Sequence, residues 1–224
     1  YTNNRDLETW IRVYREAGLK IYGLYFPVAP EKTPAWNPAI NEAIAMLKGS
    51  ETVLWITIPA PKTMTPEAYD KAVTKTLREF GDLAKASGLR VAIYAHAGCH
   101  AASAADSLRI ARMVAHPAVG PSYNLCHEFL TGNGDKAMET LRAVAPEAVR
   151  VSFNGVDTAD RKRFILTLDE GNFDIPAFLA ELKRSGYKGP VGHQFYQIPG
   201  EPEANLRKAI DAWRRYQPKE GAPK

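Results

Sequence analysis

His96 and His127 are the side chains best suited to move protons, because an imidazole titrates near neutral pH and can serve as acid or base. His96 stands two residues after Tyr94, so strand alternation turns both side chains to one face. Tyr94, Asn124, Asn154 and Gln194 each lie near the end of an apolar, strand-like run. Amides at such positions can donate hydrogen bonds to hydroxyls or to a developing enolate oxygen. Asp157 either caps a turn or orients a histidine, which makes His96, His127 and Asp157 the candidate catalytic group. Trp55, with Tyr25, offers a flat apolar platform for a ring, although aromatics inside strands more often serve the core. The expectation is a site without a cofactor. The alternative is Mn or Zn held by His96, His127 and Asp157, since two imidazoles and a carboxylate suit a transition metal.

Other polar residues carry weaker signals. His193 neighbours Gln194, so a regular strand sends the two to opposite faces and packs His193 outward. Glu128 is the acid nearest His127 and reads as a solvated loop residue. Cys126 adjoins His127, but neighbours in a strand diverge and do not make a nucleophile pair. Lys62 and the run Arg161-Lys162-Arg163 read as exposed loop charge, the run also hinting at an anionic substrate or nucleic acid.

The elements that must position these residues alternate between strand-like runs and amphipathic helices, the pattern of parallel βα units. Strands are expected at residues 19–28, 52–58, 89–95, 119–125, 149–153, 164–168 and 189–195. Helices are expected at residues 6–17, 38–48, 66–87, 103–114, 135–144, 176–185 and 203–216, with Asn37 and Thr65 as caps. The connection from residue 156 to 163 is too short for a crossover helix. Seven strands fall one short of a closed (β/α)8 barrel, so a TIM barrel lacking its first βα unit is expected. An open doubly wound sheet is the alternative, but no glycine-rich phosphate loop follows the first strand.

The chain has 224 residues, 45% of them hydrophobic, enough for one domain over residues 1–216 with a disordered tail at 217–224. Its 29 basic and 25 acidic residues leave a net charge of +4, far from the dense basic stripes of a dedicated nucleic-acid binder. Cys99 and Cys126 have no CxxC spacing and leave the compartment undetermined. No apolar run reaches the length of a membrane span.

Several motifs occur in order at suitable spacing: Ala95-His96-Ala97-Gly98, Asn124-Leu125-Cys126-His127, Asn154-Gly155-Val156-Asp157, residues 168–174 (LDEGNFD) and residues 186–190 (GYKGP). Together they resemble the xylose-isomerase-like TIM barrels, the sugar phosphate isomerase/epimerase superfamily. That resemblance implies a carbohydrate-like ligand, and a homodimer is often found in such barrels. It also implies one divalent metal, bound by Glu, Asp, His and Glu at four strand ends. Here those four places hold Tyr94, Asn124, Asn154 and Gln194, which offer mostly neutral dipoles where hard cations need charged oxygens. The two glutamates that shuttle protons in the family are replaced as well. The expectation is therefore an atypical isomerase, epimerase or lyase using His96 and His127, with Asn124, Asn154 and Gln194 positioning hydroxyls. The rival is a sugar-binding or partner domain that kept the pocket without catalysis. A DNA-repair role is disfavoured, because related endonucleases use many His and carboxylate ligands and this chain has five histidines in all.

Overall fold

The computed structural model describes residues 4–217. Six strands and eight helices follow in the order α1 (Asn4–Glu16), β1 (Gly23–Pro27), α2 (Ala39–Met46), β2 (Val53–Thr57), α3 (Pro66–Ala86), β3 (Arg90–Ile93), α4 (Ala104–Val114), β4 (Val119–Asn124), α5 (Leu125–Leu130), α6 (Ala137–Val144), β5 (Arg150–Phe153), α7 (Ile175–Arg184), β6 (Val191–His193) and α8 (Pro202–Tyr216). A 3-10 turn lies at Arg161–Arg163. All neighbouring strands pair in parallel, in the order β1-β2-β3-β4-β5-β6. The sheet curls into an open barrel whose edges are β1 and β6. Among the described residues no helix is long and apolar enough to cross a membrane.

Alternation along the strands separates two environments. Outward side chains such as Leu24, Phe26, Leu54, Ile56, Val91 and Ile93 pack with Tyr69, Val73, Leu77 and Phe80 of α3. Tyr123, Val151 and Phe153 pack with Leu141 of α6 and Phe178 of α7. Each large, fully buried side chain here contributes about 1.5–3 kcal/mol. The inward set is more polar: Trp55, Ala92, Tyr94, Ser122, Asn124, Arg150, Ser152, Asn154 and Gln194. Local signals fix the helix starts. Thr65 accepts a bond from the Ala68 amide at 3.3 Å, and Ser103 with Asp106 forms a reciprocal capping box.

The seventh strand expected at residues 164–168 does not join the sheet, because β5 pairs directly with β6. Leu166 instead forms an isolated antiparallel bridge with Gly155, through bonds of 2.9 and 3.2 Å. The short connection explains this: without a crossover helix the chain can only turn back antiparallel. The sheet thus holds six strands, against the eight that close a β/α barrel. Leu125, expected to end the fourth strand, opens α5 (Leu125–Leu130), so Cys126 and His127 are helix neighbours and not strand neighbours. Of the tail expected to be disordered, only Gln217 lies within the described residues.

The returning segment crosses the end of β5 at van der Waals distance. A Cβ on Gly155 would lie 2.0 Å from the Thr167 carbonyl and 2.4 Å from that of Glu170, both main-chain atoms. One on Gly171, at φ +90°, would lie 2.2 Å from the Val156 carbonyl. Only glycine permits this approach. Gly155→Ala should therefore cost about 3 kcal/mol, since neither strand can yield without breaking the bridge. A urea midpoint unchanged in that variant would show that the crossing tolerates a side chain.

Candidate active site

Trp55 organises the barrel interior. The Arg150 guanidinium lies over its ring at 4.5 Å, and Tyr94 stacks on it at 3.8 Å between centroids. Tyr25 meets both aromatic rings edge-on. Arg150 also donates to the Tyr22 carbonyl at 3.2 Å, reaching from β5 toward the β1 edge of the open seam. This gives the cavity an aromatic floor with a cation beneath it. The same two-residue alternation that places Ser152 and Asn154 inward also places Arg150 there, a signal not used in reading the sequence.

Above the floor Tyr94 gathers three polar neighbours. Asn124 donates its amide to the Tyr94 oxygen at 2.9 Å, Gln194 hydrogen-bonds the same phenol, and His127 Nε2 lies 3.2 Å away. The backbone amide of Ala97 donates to His127 Nδ1 at 3.1 Å, so Nδ1 carries the lone pair and Nε2 the proton. Nε2–H therefore donates to Tyr94, and both nitrogens of His127 are occupied. Burial, reinforced by neighbouring His96, pushes His127 down to about 3. Burial also holds the Tyr94 phenol far above its ordinary value. His127 is thus a fixed neutral strut.

His96 is arranged differently. Its Nδ1 bonds the Ala97 carbonyl at 2.9 Å, which fixes the proton on Nδ1 and the lone pair on Nε2. No bond to Nε2 forms among the described residues. Its ring lies 4.2 Å from that of His127, and both line a cavity of about 1040 Å³ at the C-terminal end of the strands. Tyr25, Trp55, Tyr94 and Gln194 share that lining, as do Arg161, Lys162, Arg163, Phe164, Tyr196 and Gln197. Active sites of β/α barrels occupy this end.

The structure brings together His96, His127, Tyr94, Asn124, Gln194 and Trp55 of the expected site. Asn154 is buried and braces the returning segment, donating to the Phe164 carbonyl at 2.7 Å, while its Oδ1 has no partner. Asp157 is not brought to the imidazoles. It pairs with Arg163 at 3.4 Å and caps the Ala159 amide, a turn-holding role. Among the described residues no three His, Cys, Asp or Glu side chains group closely enough to hold a metal. His193 bonds the Leu166 carbonyl at 3.1 Å. Glu128 is a correction: in α5 it is fully buried, accepts the Ala104 amide at the start of α4 at 2.7 Å, and leaves Oε2 unpartnered. Its six-residue helix is too short to show an apolar period that would mark Glu128 as buried.

The family described as xylose isomerase-like TIM barrel matches residues 6–216. The chain belongs to that family. No protein with a curated description matches the sequence. Among solved structures the barrel is similar to a D-tagatose 3-epimerase-like protein, at TM-score 0.71 and 16% identity, over 95% of this chain and 82% of that one. A 3-keto-D-glucoside 4-epimerase from E. coli aligns at TM-score 0.66 and 17% identity, over 90% and 81% of the two chains. The IOLI protein with a binding zinc atom aligns at TM-score 0.67 and 15% identity, over 88% and 76%. At these identities the likeness establishes the xylose isomerase-like fold alone.

Two buried groups next to each other in this barrel pull stability in opposite directions with pH. Unfolding returns His127 to about 6.5, so the unfolded chain takes up a proton that the native state refuses, and stability falls as pH drops from 6.5 toward 3. Burial pushes Glu128 up to about 7 from 4.5, so its native state keeps a proton the unfolded chain releases. That stability is complete below 4.5 and is lost as pH rises to 7. Removing the titration with Glu128→Gln should leave the variant gaining about 3 kcal/mol on wild type between pH 4.5 and 8. The same variant should show the uncompensated His127 loss below pH 6.5. Parallel stability curves for the two proteins would mean that Glu128 ionises normally.

Proposed function

We propose that this xylose isomerase-like barrel takes a carbohydrate-like molecule into the mouth cavity and moves a proton next to its carbonyl group, without a metal. The observation that carries the reading is His96. Its Nε2 lone pair is unclaimed beside an aromatic floor suited to the apolar face of a sugar ring. Its Nδ1–H is already held by the Ala97 carbonyl, which stabilises the imidazolium formed when Nε2 accepts a proton.

In the proposed step Nε2 removes a proton from the carbon beside the carbonyl. The C–H electrons pass to the carbonyl oxygen, and the resulting enolate accepts a hydrogen bond from the Gln194 amide. His96 then returns the proton to the former carbonyl carbon while the proton of the adjacent hydroxyl passes to the former carbonyl oxygen, which leaves the new carbonyl one carbon along. In an elimination the departing β-hydroxyl takes the proton as water instead. With His127 locked neutral, a single base serves one face of the substrate. That suits a shift between adjacent carbons or an elimination better than an inversion, which needs acid and base on opposite faces.

A divalent metal does not fit the residues present. Tyr94, Asn124 and Gln194 are bonded to one another, and Asn154 spends its amide on carbonyls of the main chain. None supplies a carboxylate or a free imidazole, and the alternative ligand Asp157 is turned to Arg163. The proposed chemistry therefore runs on His96 alone. Those same mutually satisfied neutral side chains favour the second reading, a sugar-binding domain without turnover.

The two readings separate in deuterium oxide. Wild-type protein treated with EDTA and incubated with a panel of aldoses, ketoses and keto-sugars should put solvent deuterium into at least one of them. His96→Asn should lower that exchange about 100-fold or more, the scale of a lost general base, while Trp55 fluorescence still reports binding. Saturable quenching with no exchange in wild type would establish the binding domain, and exchange that disappears with EDTA would sink the metal-free route.

A further inference from the structure

The cavity wall formed by the Arg161–Arg163 turn carries three consecutive cations, one of which is paired with a carboxylate. Lys162 makes no ion pair among the described residues. Arg161 donates one Nη2 bond to the Leu130 carbonyl at 3.0 Å and meets no carboxylate among the described residues. Only Arg163 has a counter-charge, Asp157 at 3.4 Å. The one carboxylate lining the same cavity, Glu170, is itself tied to Lys208 at 3.3 Å. Beneath the floor Arg150 also lacks a carboxylate partner among the described residues, while Gln194, Tyr196 and Gln197 on the facing lip are neutral.

A charge run on a free loop would simply be solvated, but this one is fixed in place. Asp160 accepts the Lys162 amide at 2.9 Å, and the Asp157 amide donates to the Arg163 carbonyl at 3.0 Å. Arg161 anchors the turn to the end of α5, and Asn154 clamps the next residue, Phe164, to β5. The chain therefore holds three cations on one wall of the cavity; Asp157 pairs with Arg163 and the Asp160 carboxylate caps the turn, while Arg161 and Lys162 make no ion pair among the described residues. Such a wall concentrates anions and offers charge-assisted hydrogen bonds to their oxygens. A neutral sugar would make no use of it.

We infer that the ligand of this cavity carries an anionic group, a carboxylate or a phosphate, received by the Arg161–Arg163 turn while its polyhydroxy body lies over Trp55 and Tyr94. The inference rests on the carbohydrate reading proposed above and adds the charge class of the substrate. Trp55 fluorescence titrations of the wild-type chain with D-glucose, sorbitol, D-gluconate, D-glucose 6-phosphate and inorganic phosphate test it. At least one anionic sugar should bind roughly tenfold or more tighter than its neutral counterparts, a preference of about 1.4 kcal/mol. Raising salt should erode that preference. Gluconate against glucose 6-phosphate tells carboxylate from phosphate recognition. In the triple variant Arg161→Gln, Lys162→Gln, Arg163→Gln the preference should vanish, and Lys162→Gln alone, at an exposed position with no ion pair among the described residues, should lower it while leaving the anchors of the turn intact. Equal binding of neutral and anionic sugars, or a preference that survives in the triple variant, overturns the inference and leaves the carbohydrate reading standing. Binding of inorganic phosphate that is lost in the triple variant, with no sugar bound at all, keeps the anion site and removes the carbohydrate reading. No binding of any probe removes both.

Discussion

The contact on which this half-closed barrel depends is the stack of the Arg150 guanidinium, the Trp55 indole and the Tyr94 phenol. An open sheet of six strands has no ring of eight side chains to fill its axis, so a few large groups must do it. Trp55 supplies the area. Arg150 supplies reach, its guanidinium bonding the main chain just before β1 from a position on β5. A guanidinium is the charged group best able to do this, because its planar face stacks on an aromatic ring while its edge keeps donating. Desolvation lowers the Arg150 pKa and leaves Nε without a partner, a cost offset by the indole beneath the charge.

Everything at the mouth follows from where that stack puts the Tyr94 oxygen. Once Tyr94 lies flat on Trp55, its oxygen stands where Asn124 and His127 both donate to it. The Ala97 amide then settles which nitrogen of His127 holds the proton. The next imidazole, bonded to the carbonyl of that same residue, takes the opposite tautomer and turns its lone pair outward. Two histidines whose rings are 4.2 Å apart thus have unlike states, set by one peptide unit that donates to one ring and accepts from the other. Environment, and not residue type, sets the two rings apart.

Much of this was legible in the sequence because a strand has a period of two. Tyr94 with His96, and the inward placing of Gln194 against His193, needed only alternation and the knowledge that apolar runs end near the mouth. Thr65 announced its helix by side-chain chemistry that works locally. What stayed hidden depended on contacts distant in sequence. Residues 164–168 are as β-prone as a true strand, and only the length of the preceding connection reveals that they cannot enter the sheet in parallel. The burial of Glu128 follows from α4 presenting its amide there, which no window around residue 128 contains. Asp157, placed by motif beside the histidines, was drawn away by the neighbouring cation Arg163.

On the metal-free reading, the four altered strand-end residues change as a set for a physical reason. Carboxylates clustered at a barrel mouth are tolerable when a divalent cation sits among them; without it they repel one another and pay for desolvation. Replacing one alone would leave the others charged and uncompensated, whereas Asn124 and Gln194 bond Tyr94 and the Asn154 amide donates to nearby carbonyls. On the same reading no Lewis acid carries the charge on an enolate oxygen. An enolate formed here would then draw on what positive charge the fold still supplies, and that is Arg150 under the floor and the turn at residues 161–163 on the wall. On that reading, neutral strand ends and the cations of the wall belong to one electrostatic arrangement, suited to receiving an anion rather than to holding a cation.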